Sequence, residues 1–299
     1  MATIAKAVQD ALDSHPATSG EKLSAVAFSR VWVGMAGYDR ESLRPVIDAA
    51  LSDLFKLSVN EGLRVTTDID LLPAALSSKH NFSAAIVLVV GTGSIAMSYK
   101  RNGHEFHRTA RVGGWGRILG DDGSGYATGR EGIRKTLRHC DLHRLRKSVG
   151  AEGSPFPPLA RAVLDHFQGV YPDCDAENLL SMLLVPPGAH EDGDTVRTKN
   201  IAGAASVVLS MAVKDAEARQ IIEEGAASVA ELVEMLVMEL GMEAGKCALV
   251  LGGGLMGDFM YKKAVLGRVQ HHCGGFGHVE FVGQPSIAGV KHLLDCNQS

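Results

Sequence analysis

The chain has 299 residues, of which 45% are hydrophobic and 21% charged, and it carries a net charge of −4 at a pI near 6.3. This composition is ordinary for a folded domain and excludes a strongly basic protein that binds nucleic acid or membrane surfaces. The five cysteines are odd in number and show no CxxC spacing, which favours a reduced chain over a disulfide scaffold. No apolar run reaches the roughly 18–20 residues of a membrane span, and the N-terminus lacks a signal-peptide core, so we expect a cytoplasmic protein.

The first part of the chain alternates predicted strands and helices. Residues 24–33 are predicted to form a strand, residues 41–57 a helix and residues 63–67 a second strand, because their apolar residues recur at the matching periods. Such alternation is typical of a layered α/β domain. Two further helices are predicted at about 127–140 and 216–241. A strand is predicted at 278–282, and a final helix begins at Pro285.

Asp68 lies directly after the second predicted strand, at the kind of strand end where α/β proteins bind ligands. It is a candidate general base, and such a base must lie within hydrogen-bond reach of the proton that it accepts. The alternative role is an N-cap for the following helix. Asp70 competes with Asp68 for both roles.

A glycine-rich turn follows the strand predicted at 84–90, with the sequence Gly91-Thr92-Gly93-Ser94. A Walker A loop requires a Gly-Lys-Ser/Thr ending, a dinucleotide fingerprint requires a third glycine, and both require a following helix, whereas residues 95–99 alternate like a strand. The turn is therefore predicted at the tip of a β-hairpin. There, glycines let backbone N–H groups converge on an anion, and Thr92 and Ser94 add hydroxyl donors. A plain hairpin turn is the alternative.

A second glycine motif, Gly252-Gly253-Gly254, follows a predicted buried strand at 247–251 and leads into a helix. Glycines at this place let a flat ligand approach the backbone, and a helix N-terminus favours negative charge. A tight turn between the strand and the helix explains the motif equally well.

The third glycine-rich segment is GGWGRILGDDGSGY at residues 113–126, which contains Trp115 and the adjacent acids Asp121 and Asp122. Carboxylates accept hydrogen bonds from sugar hydroxyl groups, and an aromatic face packs against a pyranose ring. An irregular loop around a core tryptophan is the alternative. The density of special residues favours a binding role.

Taken in this order, the motifs resemble the sugar-kinase and actin-like ATPase superfamily, and more narrowly its N-acetylglucosamine kinase branch of fungal type. The matching segments span nearly the whole chain and are VGMAGYD (33–39), VTTDIDLLPAAL (65–76), VVGTGSIAMSY (89–99), GGWGRILGDDGSGY (113–126), LVLGGG (249–254) and PSIAGVKHLL (285–294). The resemblance implies an α/β fold of two ribonuclease-H-like lobes with ATP and sugar between them. Residues 1–80 with 285–299 would form an incomplete N-terminal lobe, and residues 81–284 the C-terminal lobe.

The resemblance also implies roles for individual residues. Asp68 would accept the proton of the sugar 6-hydroxyl group as that oxygen attacks the γ-phosphorus of ATP. The implied ATP-binding residues are Gly91, Thr92, Gly93, Ser94, Gly252, Gly253 and Gly254, and the implied amino-sugar-binding residues are Asp39, Gly114, Trp115 and Asp121. ATP and Mg²⁺ are the implied cofactors, no residue is singled out as a metal ligand, and a homodimer is the candidate assembly.

One feature of such kinases is missing from the sequence. Relatives begin with a strand and a loop of Asp-Gly-Gly-x-Thr type, which holds ATP phosphates and whose aspartate positions Mg²⁺. Because phosphoryl transfer depends on positioning and charge neutralisation, we expect this chain as written to be poorly stable or nearly inactive. Robust turnover that depends on N-acetylglucosamine would refute this expectation.

Two other functions compete with sugar phosphorylation. An ATPase that activates a radical dehydratase would need closely placed cysteines for an iron–sulfur cluster, and the scattered cysteines here argue against it. A sugar-binding or regulatory relative could keep the glycine-rich sugar segment and lose ATP chemistry. Sugar binding without ATP binding distinguishes this last class.

Overall fold

The structure is a computed structural model that describes residues 2–76, 82–150, 155–185 and 193–295. The helices in the described ranges are α1 (Ala2–Ser14), α2 (Arg44–Phe55), α3 (Gly125–Ser148), α4 (Pro158–Val170), α5 (Leu179–Leu184), α6 (Gly193–Gly203), α7 (Ala205–Met211), α8 (Ala216–Glu239), α9 (Phe259–Cys273) and α10 (Pro285–Asp295). The strands are β1 (Val31–Gly34), β2 (Leu63–Thr66), β3 (Ala84–Val90), β4 (Ser94–Asn102), β5 (Glu105–Gly113), β6 (Ala248–Gly252) and β7 (His278–Val282). Short 3₁₀ helices lie at Leu23–Ala25, Asp68–Leu76, Ala244–Lys246 and Gly254–Gly257.

The chain divides into two compact units, each with its own sheet. Unit 1 comprises Met1–Asn81, Gly103–Glu105 and Gln284–Ser299, and unit 2 comprises Phe82–Asn102 and Phe106–Gly283. The final helix α10 therefore belongs to the same unit as the first strands, and it packs against the 3₁₀ helix that follows β2.

Unit 1 contains a two-stranded parallel sheet in which Val31 of β1 lies opposite Leu63 of β2, and Gly34 opposite Thr66. Its apolar core consists of the buried side chains Leu51, Phe55, Leu63 and Val65, against which residues of α1 pack. The prediction of a strand over 24–33 is wrong for most of its length. A strand needs a hydrogen-bonding partner, and β2 offers β1 only four residues of pairing.

Unit 2 is built on a five-stranded sheet of order β5-β4-β3-β6-β7. The central strand β3 pairs antiparallel with β4 and parallel with β6, so both of its edges are occupied, and five of its seven residues are buried. Val90 lies opposite Ser94, which leaves Gly91, Thr92 and Gly93 at the tip of the β3–β4 connection. The predicted hairpin is confirmed.

The helices of unit 2 follow the sequence pattern with shifted ends. The predicted helix at 216–241 is observed as α8, whose Val229 and Val233 belong to the buried core. Helix α3 starts at Gly125, after Ser124 accepts a hydrogen bond from the Ala127 amide, and it runs eight residues beyond the predicted end at 140. The serine cap fixes the start of α3, next to the glycine-rich segment.

Candidate functional site

The hairpin tip and the triple glycine meet at one edge of the unit 2 sheet. Strands β3 and β6 are parallel, and Val89 lies opposite Gly252, so their carboxyl ends are neighbours. Gly253 has a φ of +90°, and a Cβ atom there would lie 2.4 Å from the carbonyl oxygen of Val90. Only glycine permits both this conformation and this approach. The structure thus brings together two motifs that are about 160 residues apart in the sequence.

The hairpin tip presents backbone donors. The Gly91 amide donates to the carbonyl oxygen of Gly93 at 2.9 Å. The Gly125 amide donates to the carbonyl oxygen of Gly91 at 2.7 Å, and the Tyr126 amide donates to that of Thr92 at 3.2 Å. Within the described residues, the amides of Thr92 and Gly93 have no protein acceptor. Successive free backbone amides in such a turn can form a concave binding place for an anion.

Asp121 lies directly against the hairpin tip. Its backbone adopts a φ of +60°, which is uncommon for a residue with a side chain. A Cβ atom on Gly93 would lie 2.7 Å from Oδ2 of Asp121, while Oδ1 is buried and has no hydrogen-bond partner among the described residues. A buried carboxylate oxygen without a donor is costly, which makes Oδ1 of Asp121 a candidate acceptor for a hydrogen bond from a ligand.

Two contacts hold the segment around Asp121 in place. Ser94 donates its hydroxyl hydrogen to the carbonyl oxygen of Asp122 at 2.9 Å, and the buried phenol of Tyr261 donates to the carbonyl oxygen of Gly123. Burial raises the pKa of the Tyr261 phenol, so that it remains a donor over the physiological pH range. Hydrogen bonds from β4 and from α9 therefore hold the backbone that follows Asp121 in position.

The Trp115 side chain is exposed beside the same hairpin. Gly114 donates its amide hydrogen to the carbonyl oxygen of Ser94 at 2.9 Å, and Arg111 donates to the carbonyl oxygen of Gly114 at 2.7 Å. The Trp115 side chain is 69% exposed, and a Cβ atom on Gly120 would lie 3.2 Å from its ring. Trp115 is thus a surface residue, and the alternative of a loop around a core tryptophan is wrong.

A cleft of about 490 Å³ in unit 2 opens beside Thr92. It is lined by Thr92, Arg117, Asp194, Thr195, Thr198, Lys199, Ala202 and Gly203. Arg117 makes an ion pair with Asp194, and the hydrogen bond that it donates raises the pKa of its guanidinium group. Sequence reasoning missed this cleft. Arg117 was visible as a cation inside the glycine-rich segment, but the segment that forms α6 carried no motif.

In unit 1, Asp68 and Asp70 have different surroundings. Oδ2 of Asp70 accepts hydrogen bonds from the amide and the hydroxyl group of Thr67 at 3.1 and 2.7 Å. The Asp68 side chain is exposed, and it makes no hydrogen bond with the described residues. Asp70 therefore takes the local structural role, and Asp68 has a carboxylate that is available for chemistry.

The ends of β1 and β2 fix the position of Asp68. Met35 donates its amide hydrogen to Thr66 at 3.0 Å, and a Cβ atom on Gly34 would lie 3.1 Å from the Cα atom of Asp68. Asp39 lies half-buried in the turn that follows β1. Both acids thus follow the carboxyl ends of the two parallel strands of unit 1.

The described residues contain no group of three or more His, Cys, Asp or Glu side chains arranged to hold a metal ion. Cys140, Cys174, Cys247 and Cys273 are free thiols, and burial raises the pKa of each. No helix of the described chain is both long enough and apolar enough to cross a bilayer.

The fold matches known structures over most of its length. A Porphyromonas gingivalis protein that is provisionally named an N-acetylglucosamine kinase has a crystal structure similar to this one, with a TM-score of 0.62 and 18% sequence identity, over 97% of this chain and 85% of that one. The α/β fold is thus of the actin-like ATPase fold class. The chain belongs to the BadF/BadG/BcrA/BcrD ATPase family, which it matches over residues 2–290.

Two curated relatives are similar in sequence. The N-acetylmuramic acid/N-acetylglucosamine kinase of Clostridium acetobutylicum is 29% identical over 234 residues, which cover 78% of this chain and 66% of the relative. The N-acetyl-D-glucosamine kinase of Dictyostelium discoideum is 26% identical over 246 residues, which cover 80% of this chain and 68% of the relative. The chain therefore matches about two thirds of the length of each relative.

Proposed function

We propose that the protein phosphorylates N-acetyl-D-glucosamine at its 6-hydroxyl group with ATP as the donor. The observation that carries this proposal is the Asp121 carboxylate, which is held against Gly93 and has one buried oxygen without a donor among the described residues. A hydroxyl group of a sugar supplies such a donor. Two relatives that act on this class of sugar support the choice of substrate.

The nucleotide would bind at the sheet edge of unit 2. The amides of Thr92 and Gly93 would supply donors for the phosphate oxygens, and Gly254, where a Cβ atom would meet nothing within 4 Å, would leave room for adenosine beside the backbone. Mg²⁺ in nucleotide sites binds through one or two carboxylates and the phosphates, so a dedicated cage of protein ligands is not required. It would enter with ATP and neutralise phosphate charge.

Asp68 would act as the general base. Its exposed carboxylate has no hydrogen-bond partner in the described chain, whereas Asp70 is occupied by Thr67. In the reaction, the sugar oxygen forms a bond to the γ-phosphorus, the proton passes to Asp68, and the electrons of the broken phosphorus–oxygen bond stay on ADP. Asp39, Gly114 and Trp115 would complete the contacts to the sugar.

Sugar-dependent release of ADP tests this proposal, together with calorimetric binding of sugar and of ATP. We expect Asp121→Asn to weaken sugar binding and Asp68→Asn to lower kcat by at least 100-fold while sugar binding persists. Asp122→Asn is the matched control, because it makes the same change in the adjacent residue, whose side chain is exposed. A protein that neither binds N-acetylglucosamine nor turns it over would overturn the proposal.

ATP hydrolysis without a sugar acceptor is the second candidate, since the family is one of ATPases. ADP release at the same rate with and without sugar would favour it. Sugar binding without ATP binding would favour a regulatory relative instead.

A further inference from the structure

Two cations in the unit 2 cleft are not explained by the motifs. Arg117 belongs to the glycine-rich segment between Trp115 and Asp121, yet it lines the cleft beside Thr92. Lys199 lines the same cleft from α6 and makes no ion pair with the described residues. Among the described residues that line the cleft, Asp194 is the only carboxylate, so these residues together carry a net charge of +1 in a chain of net charge −4. Its charge favours an anionic ligand.

The position of Arg117 is fixed from two sides. It makes an ion pair with Asp194 in the first turn of α6, and it lies near the phenol of Tyr126, whose interaction also raises the pKa of the guanidinium group. The Tyr126 amide in turn donates to the carbonyl oxygen of Thr92. The guanidinium group is thus tied to the same backbone segment that presents the free amides.

One face of α6 suits a phosphorylated ligand. Asp194, Thr195, Thr198, Lys199 and Ala202 recur at helical spacing along the cleft. Thr198 donates its hydroxyl hydrogen to the carbonyl oxygen of Asp194 at 2.7 Å, so this hydrogen bond is made inside the helix. Small residues at the end of this face leave space, and Lys199 is the free cation among these residues.

We propose that Arg117 contacts the transferring phosphoryl group and that Lys199 contacts the remaining nucleotide phosphates. Asp194 is a positioning residue that orients the Arg117 guanidinium group toward the bound anion. This inference rests on the proposed function. The bond changes are those given above, and Arg117 stabilises the charge that spreads over the phosphoryl oxygens as the bond to ADP breaks.

The test compares Arg117→Gln, Arg117→Lys and Lys199→Gln with Arg138→Gln, which removes an exposed arginine from α3. We expect Arg117→Gln to lower kcat by about 100-fold with a smaller change in the KM of the sugar. Because Lys supplies charge without the planar fork, Arg117→Lys should restore only part of the rate. Lys199→Gln should raise the KM and the Kd of ATP about tenfold, the loss expected for one charged contact.

Asp194 has its own readout. Asp194→Asn should lower kcat while Arg117 is intact, and Asp194→Glu should recover part of the loss, which a merely structural role would not produce. Values for Arg117→Gln within threefold of the wild type would overturn the inference. If the wild type shows no sugar-dependent turnover, the proposed function fails, and the Kd of ATP then decides: an unchanged Kd in Lys199→Gln overturns the cation assignment as well.

Discussion

The carboxylate of Asp121 touches the backbone of Gly93, so closely that a Cβ atom on Gly93 would lie 2.7 Å from Oδ2. Gly93 belongs to the hairpin with free amides, and Asp121 to the segment that carries Trp115. The two halves of the candidate site in unit 2 are therefore in direct contact. Any shift of one must move the other, because closely packed atoms cannot interpenetrate.

Gly93→Ala should therefore impair sugar binding and phosphoryl transfer together. The added methyl group would push the Asp121 carboxylate away, and kcat/KM should fall by about 10- to 100-fold, as misplacement of a catalytic geometry does. Gly267→Ala is the control, since a Cβ atom there meets nothing within 4 Å. Steady-state kinetics with both substrates measure the effect. Equal kinetics for the two variants would show that the contact has no role.

Asp215 is a second carboxylate with an unusual number of partners, and it lies in the core of unit 2. It is buried, its Oδ1 accepts from the amides of Glu217 and Ala218, and its Oδ2 accepts from the amide of Leu159 at 3.0 Å. Asp215→Ala removes a helix cap and leaves a buried amide unpaired, so we expect a loss of about 2–4 kcal/mol in the free energy of unfolding.

Asp258→Ala provides the comparison for Asp215. Asp258 caps α9 through a single bond from the Tyr261 amide, so its loss should cost about 1 kcal/mol. Urea unfolding of both variants measures the difference. If the two variants lose equal stability, the bond to Leu159 contributes nothing.

The sequence predicted the hairpin tip and both glycine turns, because strand alternation and glycine positions are local signals. It did not distinguish Asp68 from Asp70, since that distinction depends on hydrogen bonds from Thr67. It also did not reveal that Lys199 lines the same cleft as Thr92, because α6 and the hairpin tip are far apart in the chain. Local sequence patterns thus predicted the backbone turns of the candidate site. Which charged side chains are free and lie at the site depends on tertiary packing, which a local pattern does not show.

The buried His292 should make unit 1 sensitive to acid. Burial and the neighbouring Arg64 lower its pKa below 6.5, against the opposing effects of Glu105 and Asp295. The unfolded chain then binds a proton near pH 6.5 that the folded chain binds only at lower pH. This contribution to stability is full above pH 6.5 and is lost as the pH falls below it.

Thermal unfolding between pH 5 and 8 tests the role of His292. We expect the Tm of the wild type to fall more steeply below pH 6.5 than that of His292→Gln, because glutamine does not titrate. His166 in unit 2 is the comparison, since burial lowers its pKa in the same direction. Parallel Tm curves for wild type and His292→Gln would contradict this assignment.

Trp115 should report sugar binding without any need for turnover. The chain has two tryptophans, and Trp32 is held inside unit 1 by a hydrogen bond to Thr66 and by Arg64, whose guanidinium carbon lies 4.0 Å from its ring centroid. In Trp32→Phe, the emission comes from the exposed Trp115 alone. Because a pyranose on the ring would displace water, N-acetylglucosamine should shift this emission to shorter wavelength, with saturation at the calorimetric Kd. Trp115→Phe is the control, and its remaining emission should not respond. An unchanged spectrum of Trp32→Phe at sugar concentrations that saturate the calorimetric signal would place the sugar away from Trp115.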